Sequence, residues 1–476
     1  MAANPSASGL HNPAKEAVAH LVGRARAAQA EFARWPQERV DEVALACGWA
    51  IMKPENNRLL AEIAVRDSGL GKVADKIAKN HRKTLGLLRD LAGVKTVGVI
   101  AEYPGEGITE IARPVGVVAA LTPSTNPGAT PANQIINAVK CRNAIILAPS
   151  PKGYSTVEKL LEFTHAELAK IRAPRDLVQV LPAAVTKEAT HELMRQADLV
   201  AATGSQANIR AAYSSGTPAI GVGMGNVVSI VDATADLVGA ANKIALSKTF
   251  DNATSCSSEN AVVILAPVYD ALLVELAKQG GVMLDAAEKA ELAKLMFPEG
   301  KLAPASTAQS APRIARMAGL QREAARKAAF LMVEETGAGP GHPFSGEKLS
   351  PVLAVYRAGD FDEAFAITSA VYEYQGKGHS VSIHTTNQGQ VMRLGLEMPV
   401  ARVIVNQAHC IATGGSFDNG LPFSLSMGCG TWGGNSFSDN MHWRHFLNIT
   451  RISRVIPERI PALEDVFGGY FAKHGR

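Results

Sequence analysis

Cys256 is the residue of this chain best suited to covalent chemistry. It lies among small polar residues in a predicted loop, after a helix and before a strand. A thiol in such a loop is a nucleophile when a cation or backbone amides lower its pKa. The alternative is an inert buried thiol, a description that Cys47 and Cys141 fit because both lie in helical patterns. Cys410, which follows a histidine, and Cys429, which lies between glycines, are rival nucleophiles.

Cysteine spacing and charge argue against several other classes of protein. The 5 cysteines form no CxxC pair and the histidines do not cluster with them, so we expect no metal and a reducing, cytoplasmic location. The 48 basic and 44 acidic residues are well mixed, so we expect no nucleic-acid partner. The N-terminus lacks a signal-peptide pattern, and no apolar run reaches the roughly 20 residues of a membrane helix.

A candidate phosphate-binding loop follows one predicted strand. Gly204 and Ser205 come directly after the apolar run at 199–202 and open a predicted helix at 206–213. Free amides and a hydroxyl at a helix N-terminus suit a pyrophosphate, although a serine that only caps the helix gives the same pattern. The glycine-rich string at 221–225 lacks the GxGxxG spacing and precedes a strand, so it fits a tight turn better.

The residues after the apolar run at 144–148 bear on the choice of cofactor. Ser150 and Lys152 follow this run, and no acidic residue appears before Glu158. NAD sites place an acid near such a strand end for the ribose hydroxyls, whereas NADP sites place a basic residue there for the phosphate. The pattern favours NADP over NAD, the alternative being that Lys152 is only an exposed loop lysine.

These residues must be positioned by an α/β scaffold. Short apolar runs alternate with helical segments in two series, a pattern typical of parallel sheets covered by helices on both faces. The runs lie at 115–121, 144–148, 177–181 and 199–202, and then at 261–265, 330–333, 352–356 and 403–406. We predict a cofactor-binding domain at 1–246, a catalytic domain at 247–434 and a C-terminal segment at 435–476 that is mostly polar and helical.

A hairpin is predicted at 97–113. Two apolar-rich runs flank Tyr103-Pro104-Gly105-Glu106, which has the composition of a turn. In an α/β chain such a ribbon can project from the body and form an oligomer contact. The alternative is a plain surface hairpin.

Five strings in this order resemble the aldehyde dehydrogenase superfamily, and its coenzyme A-acylating branch in particular. The resemblance runs from about residue 15 to the C-terminus. The strings are Leu121-Thr-Pro-Ser-Thr-Asn126-Pro, Ala202-Thr-Gly-Ser205, Ser247-Lys-Thr-Phe-Asp-Asn252 with Cys256, Glu347-Lys-Leu-Ser-Pro351, and Gly428-Cys-Gly-Thr-Trp-Gly-Gly-Asn435. The resemblance implies two parallel-sheet α/β domains with a small oligomerisation element, and a homodimer or homotetramer.

The resemblance also implies roles for individual residues. Cys256 matches the nucleophile, and Asn126 matches the amide that forms an oxyanion hole with the Cys256 backbone N–H. Ser205 matches the pyrophosphate contact, with Gly204 beside it. Glu347 matches the carboxylate that holds the nicotinamide ribose, and Thr122 is a further candidate cofactor contact.

Two departures from the family pattern are informative. Hydrolytic members have a glutamate, which activates the deacylating water, where this chain has Gly221. A glycine cannot act as a general base, so we expect coenzyme A to accept the acyl group instead of water. The lysine that usually contacts the adenosine ribose is replaced by Ala148, which leaves Ser150 and Lys152 as candidates.

The segment at 423–434, with residues 443–448, resembles acylating sulfoacetaldehyde dehydrogenases more than acetaldehyde or succinate-semialdehyde members. A sulfonate requires a cationic or amide-lined pocket, and His409 is one candidate lining residue if it is not purely structural. A hydrolytic or phosphorylating enzyme on the same fold remains an alternative. So does a nucleotide-binding structural protein without activity, because fold alone does not establish catalysis.

Overall fold

The computed structural model describes residues 13–183 and 185–476. Its helices are α1 (Pro13–Phe32), α2 (Gln37–Met52), α3 (Pro54–Ser68), α4 (Val73–Leu91), α5 (Ala129–Lys140), α6 (Tyr154–Lys170), α7 (Lys187–Gln196), α8 (Gln206–Tyr213), α9 (Leu237–Thr249), α10 (Tyr269–Lys278), α11 (Ala286–Met296), α12 (Ala311–Met317), α13 (Glu323–Lys327), α14 (Phe361–Tyr374), α15 (Gln388–Glu397), α16 (His409–Ala412) and α17 (Leu463–His474).

The strands form three sheets. They are β1 (Gly98–Tyr103), β2 (Ile108–Pro114), β3 (Val117–Thr122), β4 (Ala144–Pro149), β5 (Val178–Val180), β6 (Leu199–Thr203), β7 (Ala219–Val222), β8 (Val227–Val231), β9 (Glu259–Leu265), β10 (Gly281–Met283), β11 (Phe330–Glu334), β12 (Val352–Ala358), β13 (Val381–His384), β14 (Val403–Val405) and β15 (Leu447–Ser453). The predicted α/β class with two parallel sheets is confirmed.

The first sheet has five parallel strands in the order β5-β4-β3-β6-β7. Strands β3 and β4 are buried along their whole length, which explains their unbroken apolar sequence. The chain runs outward from β3 through β4 to β5, and then returns to the other side of β3 with β6. Ligands of open α/β sheets bind at such a reversal, beyond the carboxyl ends of the strands. Here those ends are Thr122 on β3 and Thr203 on β6.

The second sheet has seven parallel strands in the order β10-β11-β12-β9-β8-β13-β14. Strand β8 pairs with β9 on one side and with β13 on the other. Residues 227–231 fall within the predicted cofactor-binding domain at 1–246, and their hydrogen bonds join them to the second sheet. The apolar run of β8 follows the first series directly and carries no signal of the sheet that it joins.

The predicted hairpin is present as β1 and β2, and a third strand lies beside it. Strand β15 pairs antiparallel with β2 from Leu447 to Ser453. The expectation of a mostly helical C-terminal segment was wrong here, because the β-branched residues Ile449, Thr450 and Ile452 favour an extended strand. Helix α17 follows, and it has no buried residue in the single chain.

Helix α4 was not predicted, and it lies beside the cleft described below. Lys76, Lys79 and Lys83 are all less than 8% exposed on this helix. Their spacing places them on one face, which in a sequence normally indicates a solvated face. Among the described residues, no helix has the length and apolar character needed to cross a membrane.

Candidate active site

One cleft of about 420 Å³ collects residues from both parallel-sheet units. Seven of the predicted site residues line it, namely Thr122, Asn126, Ser150, Gly204, Ser205, Cys256 and Glu347. Lys152 does not line this cleft; it is exposed, on a short helical turn beyond Ser150. The cleft opens at the carboxyl ends of β3 and β6, where the strand order of the first sheet reverses.

A turn of three left-handed residues precedes the nucleophile candidate. The φ angle is 52° at Asp251, 51° at Asn252 and 57° at Ala253. This conformation costs about 1–2 kcal/mol for each non-glycine residue. The Asp251 amide donates to Asp75 Oδ2 at 2.8 Å, and the Asn252 side chain donates to the carbonyl of Ala308 at 3.0 Å. These contacts hold the turn and fix the position from which Cys256 enters the cleft.

Gly225 lies directly against the other side of the Cys256 backbone. A Cβ at this position would overlap the carbonyl oxygen of Cys256. The Gly225 amide also donates to Glu347 Oε1 at 3.3 Å. The glycine-rich string therefore does more than form a tight turn, since it packs against the nucleophile loop and binds the predicted ribose carboxylate.

His379 contacts the sulfur of Cys256, and the sequence analysis did not find it. The Cys256 Sγ to His379 Nε2 distance is 3.4 Å, and Nδ1 of the same ring is 2.7 Å from Ser380 Oγ. Burial, with Arg402 and His409 nearby, keeps the pKa of His379 well below its usual range. The ring is therefore neutral at neutral pH, which is the form that accepts a proton from a thiol.

Geometry distinguishes Cys256 from its rivals. Burial raises the pKa of Cys256 and of Cys410 to about 12 and that of Cys429 to about 11, so acidity alone does not identify the nucleophile. Cys410 and Cys429 are no more than 8% exposed, whereas Cys256 is partly exposed in the cleft. Among the described residues, Cys256 is also the cysteine whose sulfur contacts a histidine nitrogen.

Asn126 is oriented by a lysine of helix α4. Lys79 Nζ donates to Asn126 Oδ1 at 2.7 Å. An ammonium group can only donate, so the amide oxygen faces Lys79 and the amide nitrogen remains as a donor. This is the orientation required of an oxyanion-hole amide.

A buried carboxylate balances the lysines behind Asn126. Asp251 Oδ2 lies 2.6 Å from Lys79 Nζ and 3.1 Å from Lys76 Nζ, and its side chain is fully buried. Burial alone would raise the pKa of Asp251, but Lys79 and Lys76 outweigh burial and the pKa lies below its usual range. The same Asp251 that occupies the left-handed turn thus connects the nucleophile loop to the helix that orients Asn126.

The cleft also contains buried hydroxyl groups without hydrogen-bond partners in the described residues. Within residues 13–183 and 185–476, Thr122 Oγ1, Thr130 Oγ1 and Ser150 Oγ are buried and make no hydrogen bond. All three residues line the cleft. Buried hydroxyls are normally paired, so these groups fit a polar ligand such as the ribose and amide groups of a dinucleotide.

Ser205 and Glu347 are two further predicted cofactor contacts that line the cleft. Ser205 caps helix α8 through a long contact, its Oγ accepting from the Asn208 amide at 3.4 Å. The capping interpretation of Ser205 is confirmed, and because capping and phosphate binding are compatible at a helix N-terminus, the pyrophosphate contact stays a prediction. Burial raises the pKa of Glu347 to about 8, against the opposing effect of the Gly225 amide.

Position 221 offers no base to the cleft. A Cβ on Gly221 would lie 3.0 Å from Ile209 and 3.2 Å from Tyr213, and residue 221 does not line the cleft. The Tyr213 hydroxyl accepts from the Gly221 amide and donates to the Gly221 carbonyl, both at 3.1 Å. The space beside this glycine is thus used for packing.

His409 is not a lining residue, contrary to one expectation. It is fully buried, its Nδ1 lies 2.8 Å from the Ser257 carbonyl, and it does not line the cleft. Burial lowers the pKa of His409 to about 4, so the ring is neutral and provides no charge for a sulfonate. Its role is to support the backbone just after Cys256.

Comparison with known proteins identifies the family of the chain. Residues 6–331 match the model of the aldehyde dehydrogenase family. The chain is 64% identical over 475 residues to the acylating sulfoacetaldehyde dehydrogenase of Cupriavidus necator, which covers 99% of this chain and 96% of that protein. It is 36% identical over 453 residues to the acetylating succinate-semialdehyde dehydrogenase of Clostridium kluyveri, covering 95% and 99% of the two chains.

A solved structure is also similar along nearly the whole chain. The acetylating aldehyde dehydrogenase of Geobacillus thermoglucosidasius superposes with a TM-score of 0.90 at 33% identity, covering 94% of this chain and 98% of that one. The similarity in both sequence and fold confirms the resemblance that the five strings indicated. The chain therefore belongs to the aldehyde dehydrogenase family.

Proposed function

We propose that the protein oxidises sulfoacetaldehyde to sulfoacetyl-coenzyme A, with NADP or NAD as hydride acceptor, through a thioester on Cys256. The observation that carries the proposal is the position of the Cys256 sulfur. It lies 3.4 Å from a neutral histidine nitrogen, in a cleft that also contains an oriented amide and unpaired hydroxyls. The substrate follows the relative that is 64% identical and bears that name.

The reaction begins when the Cys256 sulfur adds to the aldehyde carbon while its proton passes to His379 Nε2, in the tautomer whose Nδ1–H donates to Ser380 Oγ. The two events coincide, because burial raises the pKa of Cys256 to about 12 and lowers that of His379, so that a separate thiolate and imidazolium would be unfavourable. The carbonyl oxygen gains the negative charge.

Asn126 stabilises that oxyanion. Its amide nitrogen donates to the oxygen, while Lys79 fixes the amide from behind at 2.7 Å. Removing one such donor typically costs about 2.7–4 kcal/mol of transition-state stabilisation. Collapse of the oxyanion expels the hydride and leaves an acyl thioester on Cys256.

The residues of the cofactor end fit a dinucleotide. Thr122 and Ser150 offer unpaired hydroxyls, Ser205 lies at a helix N-terminus and Glu347 is a carboxylate for ribose hydroxyls. When bound there, the nicotinamide accepts the hydride. The lack of an acid near Ser150 favours NADP, with Lys152 as the phosphate contact.

Coenzyme A rather than water accepts the acyl group. Residue 221 has no side chain to activate water, and its Cβ direction leads into Ile209 and Tyr213. The thiol of coenzyme A attacks the acyl carbon, Cys256 leaves, and its sulfur takes up the proton that the attacking thiol loses. One thioester replaces another, so the energy of the oxidation is conserved in the product.

The protein assembles as a homodimer or homotetramer through the three-stranded sheet and α17. Eight apolar side chains of β15 and the following segment are at least 40% exposed in the single chain, namely Ile449, Ile452, Val455, Ile460, Leu463, Val466, Phe467 and Tyr470. A surface of this size and character marks a protein contact. Replacing Phe467 and Tyr470 with glutamate should yield a smaller particle in light scattering after gel filtration, and an unchanged mass would count against this interface.

The five free thiols support a cytoplasmic location. The activity is tested by following absorbance of the reduced cofactor with sulfoacetaldehyde and NADP, with and without coenzyme A, and then with NAD. We expect sustained turnover only with coenzyme A, and sulfoacetyl-coenzyme A in amounts equal to the reduced cofactor. Sustained turnover without coenzyme A would support the hydrolytic alternative, and no turnover with any aldehyde would support a structural role.

A further inference from the structure

Lys83 is a buried cation that lines the cleft. It lines the cleft together with Cys256, Gly414, Ser424 and Leu425, and it is 7% exposed. Its Nζ donates to the Gly414 carbonyl at 2.6 Å and to the Gly415 carbonyl at 3.3 Å. None of the proposed reaction steps involves this side chain.

No carboxylate of the described residues forms a salt bridge with Lys83. Across residues 13–183 and 185–476, no carboxylate oxygen lies within 4.0 Å of its Nζ, whereas Lys79 on the same helix has Asp251 at 2.6 Å. A buried ammonium without a paired anion is costly. The two carbonyls engage two of its three N–H groups, and Nζ also lies 5.5 Å from the centre of the Phe423 ring. One N–H group therefore has no hydrogen-bond acceptor among the described residues and is available to a ligand.

The position of Lys83 on α4 relates it to the reacting carbonyl. It follows Lys79 by four residues, which places it one helical turn further along the same face, about 6 Å in rise. Lys79 orients Asn126, the proposed donor to the substrate oxyanion. In sulfoacetaldehyde a single methylene separates the carbonyl carbon from the sulfonate, so the anion must lie within about one turn of Asn126.

We propose that Lys83 binds the sulfonate of the substrate and thereby selects an anionic aldehyde over an uncharged one. This inference rests on the proposed function and extends it to a specificity-determining residue. The ion pair forms only when the substrate is bound, because no carboxylate of the described residues lies within 4.0 Å of Lys83 Nζ. The two glycine carbonyls hold the ammonium in place before the substrate arrives.

The charges around Lys83 make this site sensitive to pH. Burial, with Arg82 beside it, lowers the pKa of Lys83 to about 7 in the free enzyme, against the smaller opposing effects of Cys410 and Asp90. Lys79 also lowers this pKa. A bound sulfonate stabilises the protonated form, so binding of the sulfonate should weaken as the pH rises above about 7.

The first test compares Lys83→Met with Lys83→Arg and with Lys187→Met, an exposed lysine of α7. In Lys83→Met, kcat/KM for sulfoacetaldehyde should fall roughly 10- to 150-fold, the range for losing a charged hydrogen bond. The kcat/KM for propionaldehyde should change less than about threefold, within the scatter expected of a group that does not contact an uncharged substrate. Lys83→Arg should restore part of the preference, and Lys187→Met should match the wild type.

A second test needs no variant. Ethanesulfonate has the anion but no aldehyde, so it should inhibit propionaldehyde oxidation competitively in the wild-type enzyme. Its inhibition constant should rise about tenfold from pH 6.5 to pH 8, because deprotonation of Lys83 removes the binding charge. This measurement remains informative even if Lys83→Met fails to fold.

The outcomes separate the two proposals. If the wild-type enzyme shows no preference for sulfoacetaldehyde over propionaldehyde, the proposed substrate is wrong. If the preference exists but Lys83→Met retains it, the substrate stands and Lys83 is not the sulfonate site. An absence of ethanesulfonate inhibition at both pH values would likewise overturn the role of Lys83.

Discussion

The two ends of the cleft differ in how their polar groups are satisfied. At the nucleophile end the protein provides the partners: Lys79 bonds both Asn126 and Asp251, and His379 contacts Cys256. At the cofactor end, the hydroxyls of Thr122 and Ser150 have no partner among the described residues.

This difference separates groups that must be fixed before the reaction from groups that a ligand completes. Catalytic donors and bases act best when their geometry is set in advance, because no reorganisation is then needed in the transition state. Hydroxyls that bind a cofactor need only be positioned, and their hydrogen bonds form when the cofactor binds. Changes at the first end should therefore affect kcat or stability, and changes at the second should affect the KM of the cofactor.

Replacing His379 should have the largest kinetic effect. In His379→Gln, kcat/KM at pH 7 should fall by about 10²–10⁴, the usual contribution of a general base. The remaining rate should rise about tenfold per pH unit between pH 7 and 9, because the thiolate of Cys256 then forms by ionisation alone. His384→Gln, which changes another buried histidine, should keep the shape of the wild-type profile. A pH-independent rate in His379→Gln would contradict the role of His379 as base.

Removing the carboxylate between the lysines should mainly reduce stability. Asp251→Asn leaves the buried Lys76 and Lys79 without their counter-ion, which should lower the free energy of unfolding by about 3–5 kcal/mol. The exposed pair of Asp362 with Arg393 is a matched control, and Asp362→Asn should cost at most about 1 kcal/mol. Urea and thermal midpoints measure both variants, and equal effects would contradict the account.

The direction in which stability changes with pH follows from the pKa of Asp251. The pKa of Asp251 lies below its usual range in the folded protein. Its contribution to stability is therefore present above the ordinary aspartate pKa of the unfolded chain. That contribution is lost as the pH falls through the lower folded value. The wild-type protein should lose stability in acid more steeply than Asp251→Asn.

Asn126→Ala should reduce kcat by about 10²–10³ with little change in the KM of the aldehyde. The loss follows from removal of the amide that donates to the oxyanion. The KM of NADP should stay unchanged, because Asn126 belongs to the nucleophile end. A loss in kcat of less than tenfold would show that the backbone N–H of Cys256 suffices or that another donor holds the oxygen.

The smallest effects are expected at the cofactor end. Thr122→Val and Ser150→Ala should each raise the KM of the cofactor by about 2- to 12-fold, which corresponds to one neutral hydrogen bond. Their kcat and stability should remain close to the wild type, because neither hydroxyl has a partner in the protein. An effect on kcat with unchanged KM would contradict the division between the two ends.

Much of the scaffold could be predicted from sequence, because buried parallel strands have unbroken apolar runs. The strands near Thr122, Ser150 and Thr203 were placed within two residues in this way. Because these residues lie at the ends of predicted strands, the sequence also indicated which of them form the cofactor end of the cleft. The assignment of β8 to the second sheet was missed, since pairing partners are set by long-range contacts that a local pattern does not contain.

The nucleophile end was harder to predict for a physical reason. Lysines three and four residues apart normally indicate a solvated helix face, and only the burial of Asp251 makes Lys76 and Lys79 part of the interior. His379 lies 123 positions from Cys256 and carries no spacing signal. The sequence does contain one related pattern. Lysines that include Lys83 recur on one face of a helix, and the predicted substrate is an anion.

The central claim, a thioester on Cys256 that waits for coenzyme A, has one direct test. The enzyme is mixed with sulfoacetaldehyde and excess NADP without coenzyme A, quenched, and digested for mass spectrometry. We expect one equivalent of reduced cofactor per active site, an acyl adduct on the Cys256 peptide, and its loss when coenzyme A is added before the quench. Continued cofactor reduction without coenzyme A, or an adduct on Cys410 instead, would contradict the account.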